Sequence, residues 1–301
     1  MTEKKCYPKE NKNCWSYMSE GSRVDRYVVD GHVHRKPVYF GHDKRSDRKV
    51  VLKRAEPIFD SSLPYDPDRS GTICLAYESQ LQKRARHPNI CPVESIVEKN
   101  GRHYLVTPNL GKNLFFHIDK TQPPIEDRLI ILEDIANALA HCHHNNIVHL
   151  DVKERNVVVK DKKGILIDFG AAREFGARHD VADKFALATE NCGPPEYLND
   201  GVFTLRSDTF SFAYMAFWTL TGKTPYKQYD AKHEPRYAIQ QFHPLSLAQY
   251  NGFGELVIAG LNKRQELRPM IKELADAIKE QTARLRRPQN EQTAELSLVS
   301  S

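Results

Sequence analysis

Apolar residues recur along this chain with two different periods, and the change comes near residue 110. Before it, short β-branched or aromatic runs at 27–29, 38–40, 50–52, 95–97 and 103–106 are separated by turn chemistry at Asp30-Gly31, residues 43–48 and Asn100-Gly101. Such runs predict an antiparallel meander. One stretch interrupts it: residues 55–71 are rich in Pro, Asp and Ser, and the following 72–86 space Leu75, Leu81 and Ala85 along one face of a helix. After Leu110 the spacing becomes helical. Leu129, Leu132, Ile135, Ala136 and Leu139 share a face within 125–144, and 207–220, 251–261 and 270–278 repeat the pattern. Two β-like runs, 157–159 and 165–167, lie between the first two of these helices. The pattern predicts an α+β protein, a small β-rich lobe with one inserted helix followed by a larger helical lobe. Ligands favour the cleft that such a pair creates. Residues 1–22 show neither period and read as a flexible extension; 285–301 read as a polar, frayed tail.

Composition narrows the class. With 301 residues, 40% hydrophobic and 28% charged, the chain is long and apolar enough to bury a sizeable core, which excludes a disulfide-stapled miniprotein, a disordered polymer and a collagenous repeat. A net charge of +5 suits a small anionic ligand but is too mild for a nucleic-acid-binding surface, and no basic stripe is interleaved with aromatics. No run of about 18 apolar residues occurs and the N-terminus lacks a signal-type apolar core, so a cytoplasmic or nuclear protein with no membrane association is expected. The six cysteines form no Cys-x-x-Cys pair, and reduced thiols are expected. His141-Cys142-His143-His144 invites a metal reading, but consecutive ligands on a helix point in different directions and no second cluster completes a site.

The segment His149-Leu150-Asp151-Val152-Lys153-Glu154-Arg155-Asn156, followed by Asp168-Phe169-Gly170, resembles the catalytic loop and metal-binding motif of the eukaryotic-type protein kinase family. Further matches keep the same order. Val50-Val51-Leu52-Lys53 is similar to the strand carrying the nucleotide-binding lysine, and Glu78 sits on the inserted helix nine positions before His87-Pro88-Asn89-Ile90. Pro194-Pro195-Glu196, Asp208, Thr221-Gly222-Lys223-Thr224-Pro225-Tyr226 and Arg268-Pro269 follow. The resemblance covers about residues 23–279 and implies a two-lobed kinase fold, with an N-lobe and hinge at 23–110 and a C-lobe at 111–284.

The resemblance implies a Ser/Thr-specific kinase that transfers the γ-phosphoryl of ATP to protein hydroxyls with Mg²⁺ and acts as a monomer. Asp151 then orients and deprotonates the hydroxyl, and Lys153 balances charge on the phosphoryl. Lys53, fixed by Glu78, holds the α- and β-phosphates, and Gly31, Val33, Val38, Thr107 and Leu110 complete the ATP site. Asn156 and Asp168 supply oxygen ligands to Mg²⁺. Thr189 matches a substrate-side threonine. Glu196 with Arg268 forms a buried ion pair, and Asp208 braces the catalytic loop.

Three departures accompany the match. The glycine-rich loop keeps Gly31 but has Val33 and Lys36 at its other two glycine positions, with His34 and Arg35 beside Lys36. A β-branched residue restricts the approach of backbone amides to phosphate, while the added charge offsets part of that loss. Leu150 stands where most members have the arginine that pairs with an activation-loop phosphate, and Thr189 is the only Ser, Thr or Tyr between Gly170 and Gly193. Catalysis independent of activation-loop phosphorylation is therefore expected. Cys192 and Pro194 replace an aromatic and an alanine near the peptide-binding loop. A non-catalytic scaffold of the same fold is the alternative that the divergent loop raises. The single-domain layout also resembles kinases carried by large DNA viruses, which implies a host-cell location.

Overall fold

Alternate residues of the predicted runs near 27, 38 and 50 are buried, as a sheet with one apolar face requires, whereas Tyr104, Leu105 and Val106 are buried in succession. A computed structural model describes residues 17–34, 36–58, 66–176, 193–225 and 244–286. Thr189, Cys192, Arg35 and Tyr226 lie outside the described residues. Contacts divide the chain into two units. One runs to Thr72 and takes in Glu94–Asn109; the other holds Ile73–Val93 and continues from Leu110.

The first unit is built on β1 (Arg23–Val24), β2 (Tyr27–His32), β3 (Val38–Asp43), β4 (Lys49–Arg54), β5 (Ser95–Lys99) and β6 (Arg102–Pro108). They form one antiparallel sheet in the order β1-β2-β3-β4-β6-β5. Val24, Tyr27, Val29, Tyr39, Val50, Leu52, Tyr104 and Val106 form its core. Between β2 and β3 the register slips by one residue, so that Val29 faces Gly41 but Gly31 faces Phe40. This bulge sits at Asp30-Gly31, at the base of the hairpin that holds Val33 and Lys36.

Helix α1 (Pro67–Arg84) begins five residues before the expected 72. The Pro- and Asp-rich composition that reads as a breaker is in fact a helix start. Asp66 Oδ1 accepts the Arg69 amide at 2.9 Å, and Pro67 fills the first helical position, where no N–H is needed. Gly71 is required by packing, because a Cβ there would lie 2.0 Å from the Glu56 carbonyl oxygen.

The second unit is helical around one core. It contains α2 (Leu114–Thr121), α3 (Ile125–His144), β7 (Ile147–Val148), β8 (Val157–Lys160), β9 (Lys163–Leu166), β10 (Arg173–Glu174), α4 (Pro195–Asp200), α5 (Leu205–Thr221), α6 (Asn251–Gly260) and α7 (Ile271–Arg286). α3 packs against α5, α7 and β9, so its buried set extends past the expected stripe to Ile131 and Ala138. α5 is buried almost all round, as a central helix must be. A capping box between Thr204 and Ser207 starts it, and a left-handed Gly222 ends it. α7 runs on through Arg286, so Arg284 and Arg286 belong to its last turn.

Among the described residues no helix is long and apolar enough to cross a membrane. Cys74, Cys91 and Cys142 lie outside any disulfide. Replacing Gly71 with Ala is expected to cost about 1–3 kcal/mol by forcing the Glu56 backbone aside. Gly252→Ala in α6, where nothing lies within 4 Å, is expected to gain about 0.5–1 kcal/mol. Urea midpoints of the two variants check the contrast, and equal midpoints would refute the packing argument.

Candidate active site

The segment after β7 leaves the sheet with its backbone held by one side chain. Asp208, in the first turn of α5 and fully buried, accepts the His149 amide at Oδ2 and the Leu150 amide at Oδ1, both at 2.8 Å. His143 Nε2, from the end of α3, bonds the same Oδ2 at 2.9 Å. Burial alone raises the pKa of the Asp208 carboxyl. The hydrogen bond and charge of His143, with the His149 amide, outweigh burial and hold the group below the ordinary carboxylate range. Two amides converging on one carboxylate turn the chain sharply, and Leu150 takes a left-handed φ of 62°.

That turn sets the side chains of residues 151–156. Lys153 Nζ lies 2.6 Å from Asp151 Oδ2. Asn156, in a 3-10 turn at Glu154–Asn156, donates its Nδ2 to Asp151 Oδ2 at 2.8 Å and to the Asp151 carbonyl at 2.9 Å. With Nδ2 engaged on that side, the amide oxygen of Asn156 faces the other way. The Ile167 amide donates to the Asn156 carbonyl at 2.9 Å, and Val157 pairs with Leu166, so the start of β8 and the end of β9 bring Asn156 beside Asp168. Asp168 has φ 64° and accepts the Gly170 amide at 3.3 Å. Phe169 is buried and meets the His149 ring edge-on at 4.9 Å. His149 accepts the Asp151 amide at Nδ1 and faces the Ile167 carbonyl with Nε2, which selects the tautomer protonated at Nε2. Asp151, Lys153, Asn156 and Asp168 thus share one hydrogen-bonded region. The Asn156 amide oxygen and the Asp168 carboxylate are hard oxygen donors of the kind Mg²⁺ takes.

Leu150 is 1% exposed. It packs with Val148 and Ala171, flanked by Tyr197 of α4, Phe203 of the connection and Leu205 at the start of α5. Nearby, Arg268 forms a two-pronged bridge to Glu196, Nη1 to Oε1 at 2.7 Å and Nη2 to Oε2 at 2.8 Å. Ser207 Oγ donates to the same Oε1, and Arg268 also donates to the carbonyls of Asn262, Lys263 and Arg206. The pair is well satisfied.

The expected nucleotide residues of the first unit lie on its sheet. Lys53 is on β4 opposite Val38 and Leu105; Thr107 on β6 faces Val51. In the β2–β3 hairpin, Val33 donates its amide to the Val38 carbonyl at 2.8 Å and Lys36 donates to the Val33 carbonyl at 3.1 Å. In the second unit Glu78 is 4% exposed on α1, and Leu110 is half-buried. His141 meets the His87 ring at a tilt of 32° with centroids 5.2 Å apart, Cys142 is in the core and His143 serves Asp208, so the histidine run diverges. No group of three metal-ligating side chains occurs among the described residues. The histidine run read as a metal candidate gives no sign of the bond from His143 to Asp208. The place of His143 at the end of a helix, shortly before the loop, is the signal that would have found it.

A family model described as protein kinase domain matches residues 37–292. The chain belongs to the protein kinase family. This kinase domain is 29% identical over 192 residues to the serine/threonine-protein kinase PrkC of Bacillus subtilis, covering 63% of the chain and 29% of that protein. It is 29% identical over 208 residues to the serine/threonine-protein kinase PknL of Mycobacterium tuberculosis, covering 67% of the chain and 50% of PknL. A probable L-type lectin-domain containing receptor kinase of Arabidopsis thaliana is 30% identical over 185 residues, 58% of the chain and 26% of that protein. The chain therefore spans between about a quarter and half of these relatives.

The Asp208 carboxylate makes a pH prediction for the kinase domain. Its folded pKa lies below the unfolded value of about 3.9, so its stabilisation is complete above that pH and is lost as pH falls toward the folded pKa. Asp208→Asn is expected to cost about 2–4 kcal/mol at pH 7, because two amides and an imidazole lose a charged acceptor. The gap from wild type is expected to narrow below pH 4. A gap constant with pH in urea titrations would show that the carboxylate charge is not what holds the loop.

Proposed function

We propose that this domain is a protein-serine/threonine kinase that transfers the γ-phosphoryl of ATP to Ser or Thr hydroxyls of proteins. The observation that carries the reading is the Asp151 carboxylate, bonded at Oδ2 by Lys153 at 2.6 Å and Asn156 at 2.8 Å. A carboxylate fixed at one oxygen by two donors keeps a defined orientation toward a hydroxyl. In the proposed reaction the substrate oxygen forms a bond to the γ-phosphorus as the bond to the β-bridging oxygen breaks, and the hydroxyl proton passes to Asp151. Lys153 offsets charge on the phosphoryl. Lys53 and Glu78 serve the nucleotide phosphates, with Gly31, Val33, Val38, Thr107 and Leu110 around ATP. Asn156 and Asp168 hold Mg²⁺, which neutralises phosphate charge when bound. Thr189 is assigned to the substrate side, and Glu196, Arg268 and Asp208 to the frame.

Activation-loop phosphorylation is dispensable in this reading. Leu150 joins the loop to Tyr197, Phe203 and Leu205 by apolar packing, a contact that needs no phosphate. A scaffold without catalysis is the second reading. What favours it is the β2–β3 hairpin, whose Val33 and Lys36 amides are bonded within the turn rather than turned out toward an anion.

Transfer of labelled phosphate from ATP to a basic protein substrate tests the proposal. Wild type with Mg²⁺ is expected to label Ser or Thr, and Asp151→Ala to lower kcat about 10²–10⁴-fold. Withholding Mg²⁺ is expected to abolish labelling. Wild type no better than Asp151→Ala across several substrates would put the scaffold reading first. Phosphatase-treated enzyme is expected to keep its rate; a rate that returns only with phosphorylated Thr189, mapped by mass spectrometry, would refute phosphorylation independence.

A further inference from the structure

We infer that Arg155 selects an anionic side chain, a carboxylate or a phosphate, in the protein substrate close to the hydroxyl that is phosphorylated. The inference rests on the kinase reading above and adds the substrate class. Arg155 lies in the 3-10 turn between Glu154 and Asn156. Its neighbour Asn156 is bonded directly to Asp151, so the guanidinium rides on the same rigid turn as the proposed base. Four chain steps of at most about 3.6 Å put the two Cα atoms within roughly 14 Å. An extended peptide rising about 3.3 Å per residue covers that distance in about four residues.

The guanidinium is held on an aromatic shelf. Its central carbon lies 4.5 Å from the centroid of the Phe115 ring, and Phe115 stacks on Trp218 at 5.6 Å with the planes 14° apart. The shelf joins the second residue of α2 to α5, so it does not move with the turn alone. The Arg155 side chain is nevertheless 59% exposed. Glu154 approaches its Nε only to 3.9 Å, beyond a hydrogen bond. An exposed cation already seated on an aromatic ring loses less rotamer entropy than a free one when it forks onto a carboxylate or phosphate. Lys153, the other cation of this turn, is engaged with Asp151, which leaves Arg155 as the cation that residues 153–156 present outward, with the 22%-exposed Glu154 a distant ion-pair partner at 3.9 Å.

The test uses the whole chain and synthetic peptides with one Ser, in which Ala, Asp, phosphoserine or Lys is placed in turn at each of the four positions on either side. For wild type, kcat/KM on the best Asp or phosphoserine peptide is expected to exceed that on the Ala peptide by about 10-fold to 100-fold, the range of a charge-assisted hydrogen bond. The difference is expected mainly in KM. Asp against phosphoserine tells which anion is preferred. Arg155→Gln is expected to bring the ratio near one, Arg155→Lys to keep part of it, and Arg155→Glu to shift preference to the Lys peptide at the same position. Thermal melts confirm that these exposed substitutions leave the fold intact. Transfer with equal ratios in wild type, or a ratio unchanged in Arg155→Gln, overturns this inference and leaves the kinase reading standing. No transfer to any peptide, with wild type equal to Asp151→Ala, overturns the kinase reading and the inference with it.

Discussion

Burying an ionised carboxylate costs several kcal/mol unless its lone pairs are filled, and the second unit spends that cost on one turn of chain. Asp208 has no exposure, yet it stays charged because the His149 amide, the Leu150 amide and His143 Nε2 converge on its two oxygens. The donors come from α3 and from the segment after β7, and the acceptor from α5. One interaction therefore fixes three elements and forces Leu150 into the left-handed region. The positions of residues 151–156 follow from that forced turn. Without it, the bonds from Lys153 and Asn156 to Asp151 have no reason to form at this place.

A second buried charge pair does similar work at α4. Arg268 is fully buried as a side chain and reaches Glu196 with both terminal nitrogens, three carbonyls and Ser207 completing the cage. It ties α4 to the start of α5 and to the turn before α7. Leu150, with Val148 and Ala171, packs on Tyr197, Phe203 and Leu205 of that same region. Polar and apolar contacts thus close a circuit from the loop through α4 and α5 and back to Asp208, with no mobile charge required in it.

Much of this was legible in the sequence because it depends on period and order. The strands of the meander and the long helices follow from alternation and 3.6-residue spacing, and the kinase motifs from their sequence order. The start of α1 was misread because Asp66-Pro67 belongs equally to loops and to helix caps, and only the Asp66-to-Arg69 bond decides between them. α2 and α4, at eight and six residues, are too short for a period to register. The roles of His143 and Leu150 were hidden for another reason. Both depend on partners 47 or more residues away, His143 on Asp208 and Leu150 on Tyr197 and Phe203, and no local pattern encodes such a pairing. The β2–β3 hairpin differs, because its partners are local, Val33 with Val38 and Lys36 with Val33; the loss of two glycines is visible in the sequence, but backbone bonding within a turn leaves no residue-type signature.

Read together, Leu150 and Arg155 describe a displacement of charge within one loop. A cation at position 150 would be enclosed by Val148, Ala171, Tyr197, Phe203 and Leu205, where burial makes an unpaired guanidinium expensive and only an anion from the same chain could reach it. Leucine removes that cost and turns the position into packing. Five residues later Arg155 carries its charge at 59% side-chain exposure on the Phe115–Trp218 stack, where water screens it at rest and an arriving anion displaces that water. A buried cation serves regulation from within, and an exposed one seated on an aromatic ring serves recognition from without. In the proposed reading the loop lacks the first and holds the second, and its response to phosphate then depends on what the substrate carries rather than on a phosphate of its own segment.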